Sequence, residues 1–454
     1  MLRRACSLLL LLLLTQFPTH AHGPGDDNAP EASILKGRGP RWLNRLLTES
    51  AVLGRHHVGV SLTDVATGEK VYELNADKYF TPASTMKLFS LYAGLKLLPD
   101  SLPALRYVVR GDSLIFWGTG DPTLLHGDVP SRRALAFLQT RPEQLFYADI
   151  PCVTAFGPGW GWDDYNYYYQ PERGAFPVYG HTVRFYARAG QPLPGRVYPR
   201  FFRPLMSPVP AGTPNPADDH VRRPLLENRF LVYPSPKNWV DETPFRTSPD
   251  LLRQLLQDTL HRPVGQVPFR VRPQDSVRLV RGLAVDSLYR RMLRVSDNFL
   301  AEQLLLLCSS TLGADSLSTA RVIRLMQRQH LPGLPEAPVW VDGSGLSRMN
   351  LVTPRTLTAL LLRLHQEVPE PRLLDLLAAG GRQGSLRRRY RDPQGLWLWG
   401  KTGTLTNNHN LCGYLRTRSG RLLAFSFMNN NIPGDDTAVR NEMERILGEV
   451  RRRL

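Results

Sequence analysis

Cysteine is scarce in this chain: four residues among 454, at positions 6, 152, 308 and 412, with no CxxC pair. That usage excludes a disulfide framework or a thiolate zinc site as the basis of the fold. A single disulfide among Cys152, Cys308 and Cys412 stays open. Long apolar runs are as rare. The one continuous stretch, Leu8 to Leu14, is too short to anchor a protein across a bilayer. There is no HExxH, no repeat of fixed period, and a shortage of acidic residues, 40 against 57 Lys and Arg, giving a net charge of +17. The basic residues are spread along the chain and are mostly arginine. That distribution speaks against a nucleic-acid footprint and for a solvated basic surface, or attraction to an anionic cell envelope.

What is present belongs to a soluble globular protein of two or three domains, with 42% hydrophobic and 21% charged residues. Arg3 and Arg4 precede the leucine run, and Thr19-His20-Ala21 offers a small-x-small cleavage site. This is the layout of a secretory signal peptide over 1–21, and the expectation is an exported, periplasmic protein. Cys6 precedes the run, so it is not placed as the modified cysteine of a lipoprotein. Residues 22–40, rich in Gly, Pro and Asp, read as a linker.

Helical spacing over Arg41 to Leu53 is followed by an alternating pair, Val58 to Leu62 and Val71 to Leu74, around the turn at Asp64 to Gly68: a β-hairpin. Pro82 before Ser84 marks a helix start, and the helix runs to about Leu98. From about 100 to 274 the texture changes to short apolar runs between Gly- and Pro-rich turns, with aromatics at Tyr165 to Tyr169. This is a β-rich insertion. Helical spacing resumes over Ser276 to Ser310, Thr319 to Gln329 and Pro354 to Gln366. Two strands, Leu411 to Arg416 and Leu422 to Met428, flank the turn at Ser419-Gly420. A last helix puts Val439, Met443, Ile446, Leu447 and Val450 on one face, packed on the closing sheet.

Three short motifs carry chemistry. Ser84-Thr85-Met86-Lys87 is SxxK, and residues three apart on a helix share a face, so the amine reaches the hydroxyl. A serine is a poor nucleophile until a base takes its proton, and lysine is a base only where burial or a nearby positive charge favours the neutral amine. Alone the motif is weak; average usage gives about two chance copies in a chain of this size. Ser296-Asp297-Asn298 offers a hydroxyl for proton relay and an amide to orient a carbonyl or the lysine, though helix capping uses the same residue types. Lys401, Thr402, Gly403 and Thr404 on an edge strand would grip a carboxylate, with the glycine letting the substrate backbone come close. Together and in this order they form the signature set of serine β-lactamases and penicillin-binding proteins. The 212 residues from Ser84 to Ser296 leave room for the insertion, and 105 more reach Lys401.

With Gly118-Thr119-Gly120-Asp121-Pro122-Thr123-Leu124, Gly159 to Asp164, Gly174-Ala175, Asp342 to Arg348 and Gly384 to Arg387, the chain resembles the D-alanyl-D-alanine carboxypeptidase/endopeptidase family, the class C low-molecular-mass penicillin-binding proteins. The likeness covers nearly the whole mature chain. It implies an α/β transpeptidase-like domain, an antiparallel sheet flanked by helices, made of 41–99 and 275–454 and interrupted by the accessory region 100–274. It implies Ser84 as nucleophile, Lys87 as general base, Ser296 and Asn298 as relay and orienting groups, and Lys401, Thr402 and Thr404 on the substrate carboxylate. The backbone N–H groups of Ser84 and Thr404 would form the oxyanion hole. No metal or organic cofactor is implied. Expected partners are peptidoglycan peptides ending in D-Ala-D-Ala and β-lactam antibiotics as covalent inhibitors. Two departures stand out: an insertion shorter than in the larger members, and Gly380 to Gly384 lacking the usual acidic residue before the glycine.

Asp218-Asp219-His220 lacks a spaced ligand partner and reads as a polar loop. Asp342 with Ser344 and Ser347 reads as a structural turn near the cleft, and Arg387 to Arg391 as a solvated charge run. Rival functions are a β-lactamase, for which no deacylating glutamate motif is evident, and a non-catalytic peptidoglycan-binding protein, against which the intact Ser84, Lys87, Ser296 and Lys401 argue.

Overall fold

In the computed structural model, residues 37–152, 154–215, 219–313 and 315–454 are described. The signal-peptide and linker readings, Cys6 and Asp218 lie almost wholly or entirely outside them.

Both ends of the described chain build one antiparallel sheet. Its strand order is Ala378–Ala379, Leu398–Leu405, Asn408–Arg416, Leu422–Asn430, His57–Asp64 and Lys70–Leu74. The period of two explains why it needs a layer on each face. Val58, Val60, Leu62, Leu423, Phe425 and Phe427 pack with Leu43 and Leu47 of helix Arg41–Thr48 and with Val439, Met443, Ile446, Leu447 and Val450 of helix Thr437–Arg453. Ala424 and Met428 point the other way, into a second core with Leu88, Phe89, Leu300, Leu304, Leu357 and Leu361. That core is built by helices Lys87–Leu97, Asn298–Ser310 and Pro354–Glu367.

The intervening segment adds a five-stranded mixed sheet, in the order Val264–Pro268, Gln144–Asp149, Ser113–Gly118, Ser101–Arg110 and Arg278–Ala284. Its first three strands run parallel and its last three antiparallel. Two three-stranded sheets lie in the same segment. The segment is β-rich, as its sequence texture indicates, but it also contributes helices Arg133–Thr140 and Pro249–Leu260, whose Leu135, Leu138, Leu255 and Leu256 are buried with Phe116, Phe185 and Phe230.

Two boundaries differ from the sequence reading. Residues 278–284 form a strand, not the start of a helix, and they pair with Ser101–Arg110. The insertion's own sheet thus extends about ten residues past 274, and the return begins with helix Val285–Arg294. The residues around Ser84 begin as a 3-10 turn, Ala83–Met86, before the α-helix sets in at Lys87. Cys308 and Cys412 are buried free thiols.

The intervening segment is tied to the helical core through helix Asn298–Ser310. Gln303 Nε2 donates to the carbonyls of Gly120 and Gly174, both at 2.9 Å. Gly120 has φ +88°, and a Cβ there would sit 2.8 Å from Leu306 Cβ. The GTGDP and Gly174-Ala175 segments are therefore joints between the two parts of the molecule.

Candidate active site

The three motifs converge on one cleft of about 980 Å³, lined by Ser84, Ser296, Asn298 and Thr404 together with Trp160, Tyr168, Tyr169 and Arg348. Lys87 lies behind Ser84, wholly buried. Its Nζ is 2.8 Å from Ser84 Oγ, 2.6 Å from Asn298 Oδ1 and 2.7 Å from the Ser344 carbonyl. The Asn298 amide is oriented by its Nδ2, which donates to the Tyr169 carbonyl at 3.0 Å.

These partners fix the proton inventory. The Asn298 and Ser344 oxygens only accept, so they take two N–H bonds from the amine. A neutral amine then has its lone pair left for the Ser84 hydroxyl. Burial pushes Lys87 down to about 8, against the opposing charges of Asp342, Asp297 and Glu302. The neutral form is thus accessible near neutral pH.

Lys401 is also wholly buried. Its Nζ donates to Ser296 Oγ at 2.8 Å and to the Thr402 carbonyl at 2.6 Å. Burial, and next the charge of Lys87, push its amine well below the usual lysine range. Among the described residues, strand Leu398–Leu405 pairs outward through Trp399 and Gly400, with the Leu398 carbonyl accepting from Gly380 N at 2.9 Å, so from Lys401 onward its outer edge is open. Thr402 Oγ1 donates to Ser385 Oγ at 2.8 Å. Thr404 Oγ1 lies 2.9 Å from Nδ1 of the buried His409, whose burial pushes it to about 3, so its ring is neutral.

Backbone strain collects at two motifs. Ala83 has φ +49° and Ser296 φ +65°, a region that residues bearing a Cβ seldom occupy unless the surroundings impose it. For Ala83 those surroundings are two glycines. A Cβ at Gly345 (φ +80°) would fall 1.8 Å from the Ala83 carbonyl oxygen, and one at Gly403 2.5 Å from that of Pro82. Gly403 therefore lets its strand approach the Ser84 turn. We expect Gly345→Ala to displace Ser84 from Lys87 and slow covalent labelling of Ser84 by an acylating reagent by about 10²-fold or more, with the circular dichroism of the fold retained. Stopped-flow acylation measures it, and wild-type rates would refute it.

Asp297 does what a capping residue does: its Oδ1 accepts from Leu300 N at 3.1 Å. All three motif residues line the cleft, and the middle one also starts the helix. Asp342 is wholly buried and organises the DGSGLSR loop, accepting from Gly345 N, Ser347 N, Asn350 Nδ2 and Trp160 Nε1 at 2.7–2.9 Å. The loop's contribution is the Ser344 carbonyl on Lys87. Glu302, one helical turn beyond Asn298, holds that loop through Ser344 N at 2.8 Å and pairs with Arg173 at 3.1 Å, both side chains nearly sealed from water. Asn410 and Asn430 anchor the segment before Ser84, through the Thr81 and Pro82 carbonyls and Thr81 N. His220 of the rejected metal reading stacks on Trp239 at 4.7 Å.

A sequence profile of the D-Ala-D-Ala carboxypeptidase 3 (S13) family matches residues 41–193 and 247–451. The chain belongs to that family. Residues 194–246 of the insertion fall outside the match. A D-alanyl-D-alanine carboxypeptidase DacB of Haemophilus influenzae is 23% identical over 421 residues, 84% of this chain and 86% of that protein. A carboxypeptidase DacB of Mycolicibacterium smegmatis is 30% identical over 185 residues, so the match spans 39% of this chain and only 40% of the relative. The crystal structure of penicillin binding protein 4 (dacB) from Haemophilus influenzae shares the fold, with a TM-score of 0.68 at 20% identity, over 90% of this chain and 98% of that one.

Proposed function

We propose that this cleft is the centre of a serine-type D-Ala-D-Ala carboxypeptidase acting on peptidoglycan stem peptides, with D,D-endopeptidase action on cross-links within its reach. The family membership supports the activity. The observation that carries the chemistry is Lys87 Nζ, buried, 2.8 Å from Ser84 Oγ and with two obligate acceptors on its other sides.

In this reading Ser84 Oγ attacks the carbonyl carbon of the penultimate D-alanine while Lys87 takes the hydroxyl proton. The oxyanion forms against the backbone N–H groups of Ser84 and Thr404. Ser296 relays a proton to the leaving amine, the terminal D-alanine departs, and water hydrolyses the acyl ester. Thr402 and Thr404 receive the substrate carboxylate on the open strand edge. Lys401 sits behind them, and an arriving carboxylate favours its charged form, reversing the effect of burial. β-Lactams acylate the same serine.

The two-part catalytic domain, 41–99 and about 285–454 around one insertion, belongs to this proposal, as do export by the signal peptide and a periplasmic location. No helix among the described residues is long and apolar enough to cross a membrane. Mass spectrometry of the penicillin-treated protein is expected to place the adduct on Ser84, and digestion of purified muropeptides to release D-alanine. An unlabelled Ser84 would overturn the proposal. Rapid release of hydrolysed penicillin would instead favour the β-lactamase reading.

A further inference from the structure

A second cavity, of about 440 Å³, lies beyond the wall of the cleft. Trp160 and Gly161 line both spaces. The wall is firm: Trp160 Nε1 donates to Asp342 at 2.9 Å, and the Arg173 guanidinium lies 5.3 Å from the centre of its ring. On the cavity side, Trp162 is 79% exposed and Leu226 70%. Two large apolar side chains are thus left in water at one pocket. Gln170, also in the lining, is 1% exposed. Its Nε2 donates to the Gly161 carbonyl at 2.7 Å, which fixes the amide, and its Oε1 has no hydrogen-bond partner. Arg246 stands exposed at the same pocket and spends one N–H on the Leu226 carbonyl.

This combination selects a ligand class. A purely apolar ligand would cover Trp162 and leave the Gln170 oxygen unpaired. An anion would meet the carboxyl group of Glu172, another lining residue. A sugar ring satisfies all of them: its C–H face covers the indole, a hydroxyl donates to Gln170 Oε1, and another accepts from Arg246. We infer that this cavity binds a sugar ring of the glycan strand that carries the stem peptides. The inference rests on the peptidoglycan reading of the cleft. It adds a second point of attachment across the Trp160 wall, which raises the local concentration of linked peptide at Ser84.

The test uses peptide-free glycan oligosaccharides of alternating N-acetylglucosamine and N-acetylmuramic acid, titrated calorimetrically into the full chain. Wild type is expected to bind, and Trp162→Ala to weaken binding at least tenfold. On a glycan-linked muropeptide Trp162→Ala is expected to raise KM at unchanged kcat, while a free stem pentapeptide is cleaved as by wild type. Trp162 is exposed and lies outside the lining of the Ser84 cleft, so penicillin acylation at wild-type rate certifies the variant's fold. No glycan binding by wild type, or binding indifferent to Trp162→Ala, overturns the inference. Penicillin acylation of wild type reports separately on Ser84, so failure of the catalytic reading and failure of the sugar site are read apart.

Discussion

Ser84→Ala is expected to lower turnover of a D-Ala-D-Ala peptide by about 10⁶-fold, the scale seen when a serine hydrolase loses its nucleophile, and to abolish the covalent penicillin adduct. The argument is one of bond making. Among the described residues no other hydroxyl is placed against Lys87 Nζ, whose remaining contacts are an amide oxygen and a backbone carbonyl. The fold should survive, because the Ser84 side chain is only partly buried and the turn around it is held by other groups, Asn410 and Asn430 on the chain before it and Gly345 and Gly403 packed against it. Reversible binding of the peptide to Ser84→Ala is therefore expected near the wild-type affinity. Release of D-alanine followed by amino-acid analysis checks the first claim and calorimetry the second. Residual turnover within about 10²-fold of wild type would mean a second nucleophile or a different reaction, since positioning alone accounts for changes of that size.

The sequence made the chemistry legible because acyl transfer needs particular side chains, and side chains are what a sequence writes down. Ser84, Lys87, Ser296, Asn298 and the Lys401 strand are named by their motifs, and all meet in or behind one cleft. Much of what holds them was hidden because it is backbone. The Ser344 carbonyl on Lys87 and the Tyr169 carbonyl on Asn298 have no side-chain signature. Gly345 and Gly403 meet the Ser84 turn across hundreds of residues, so their need for a bare Cα shows only in the fold. Glu302 had a faint signal, a carboxylate one helical turn past Asn298 in an otherwise leucine-rich helix. The core helices and closing strands stood out through strict periodicity, as in Val439, Met443, Ile446, Leu447 and Val450. Arg278–Ala284 was misread because its burial does not alternate: only Gly282 is buried, and the register shifts twice along its pairing.

Lys87→Met should slow acylation of Ser84 by penicillin by about 10²–10⁴-fold, the range of a lost general base. Methionine keeps the length and apolar stem of lysine but takes no proton, and it leaves Asn298 Oδ1 and the Ser344 carbonyl without their donor. The pH profile separates loss of the base from simple disturbance of the site. In wild type the reactive form is the neutral amine, and burial lowers its pKa to about 8. Below that value the protonated fraction grows, so the acylation rate should fall tenfold for each pH unit removed; above it, the rate should level off. The sign is fixed by the direction of the shift, since an unperturbed lysine would keep the rate climbing to beyond about pH 10. In Lys87→Met that slope should vanish, leaving a slow and nearly flat profile over the same range. A wild-type acylation rate that is flat between about pH 6 and 8, or a methionine variant that keeps the wild-type slope, would remove Lys87 from the role of base. The proton of Ser84 would then need an acceptor other than Lys87, the amine that lies 2.8 Å from its Oγ.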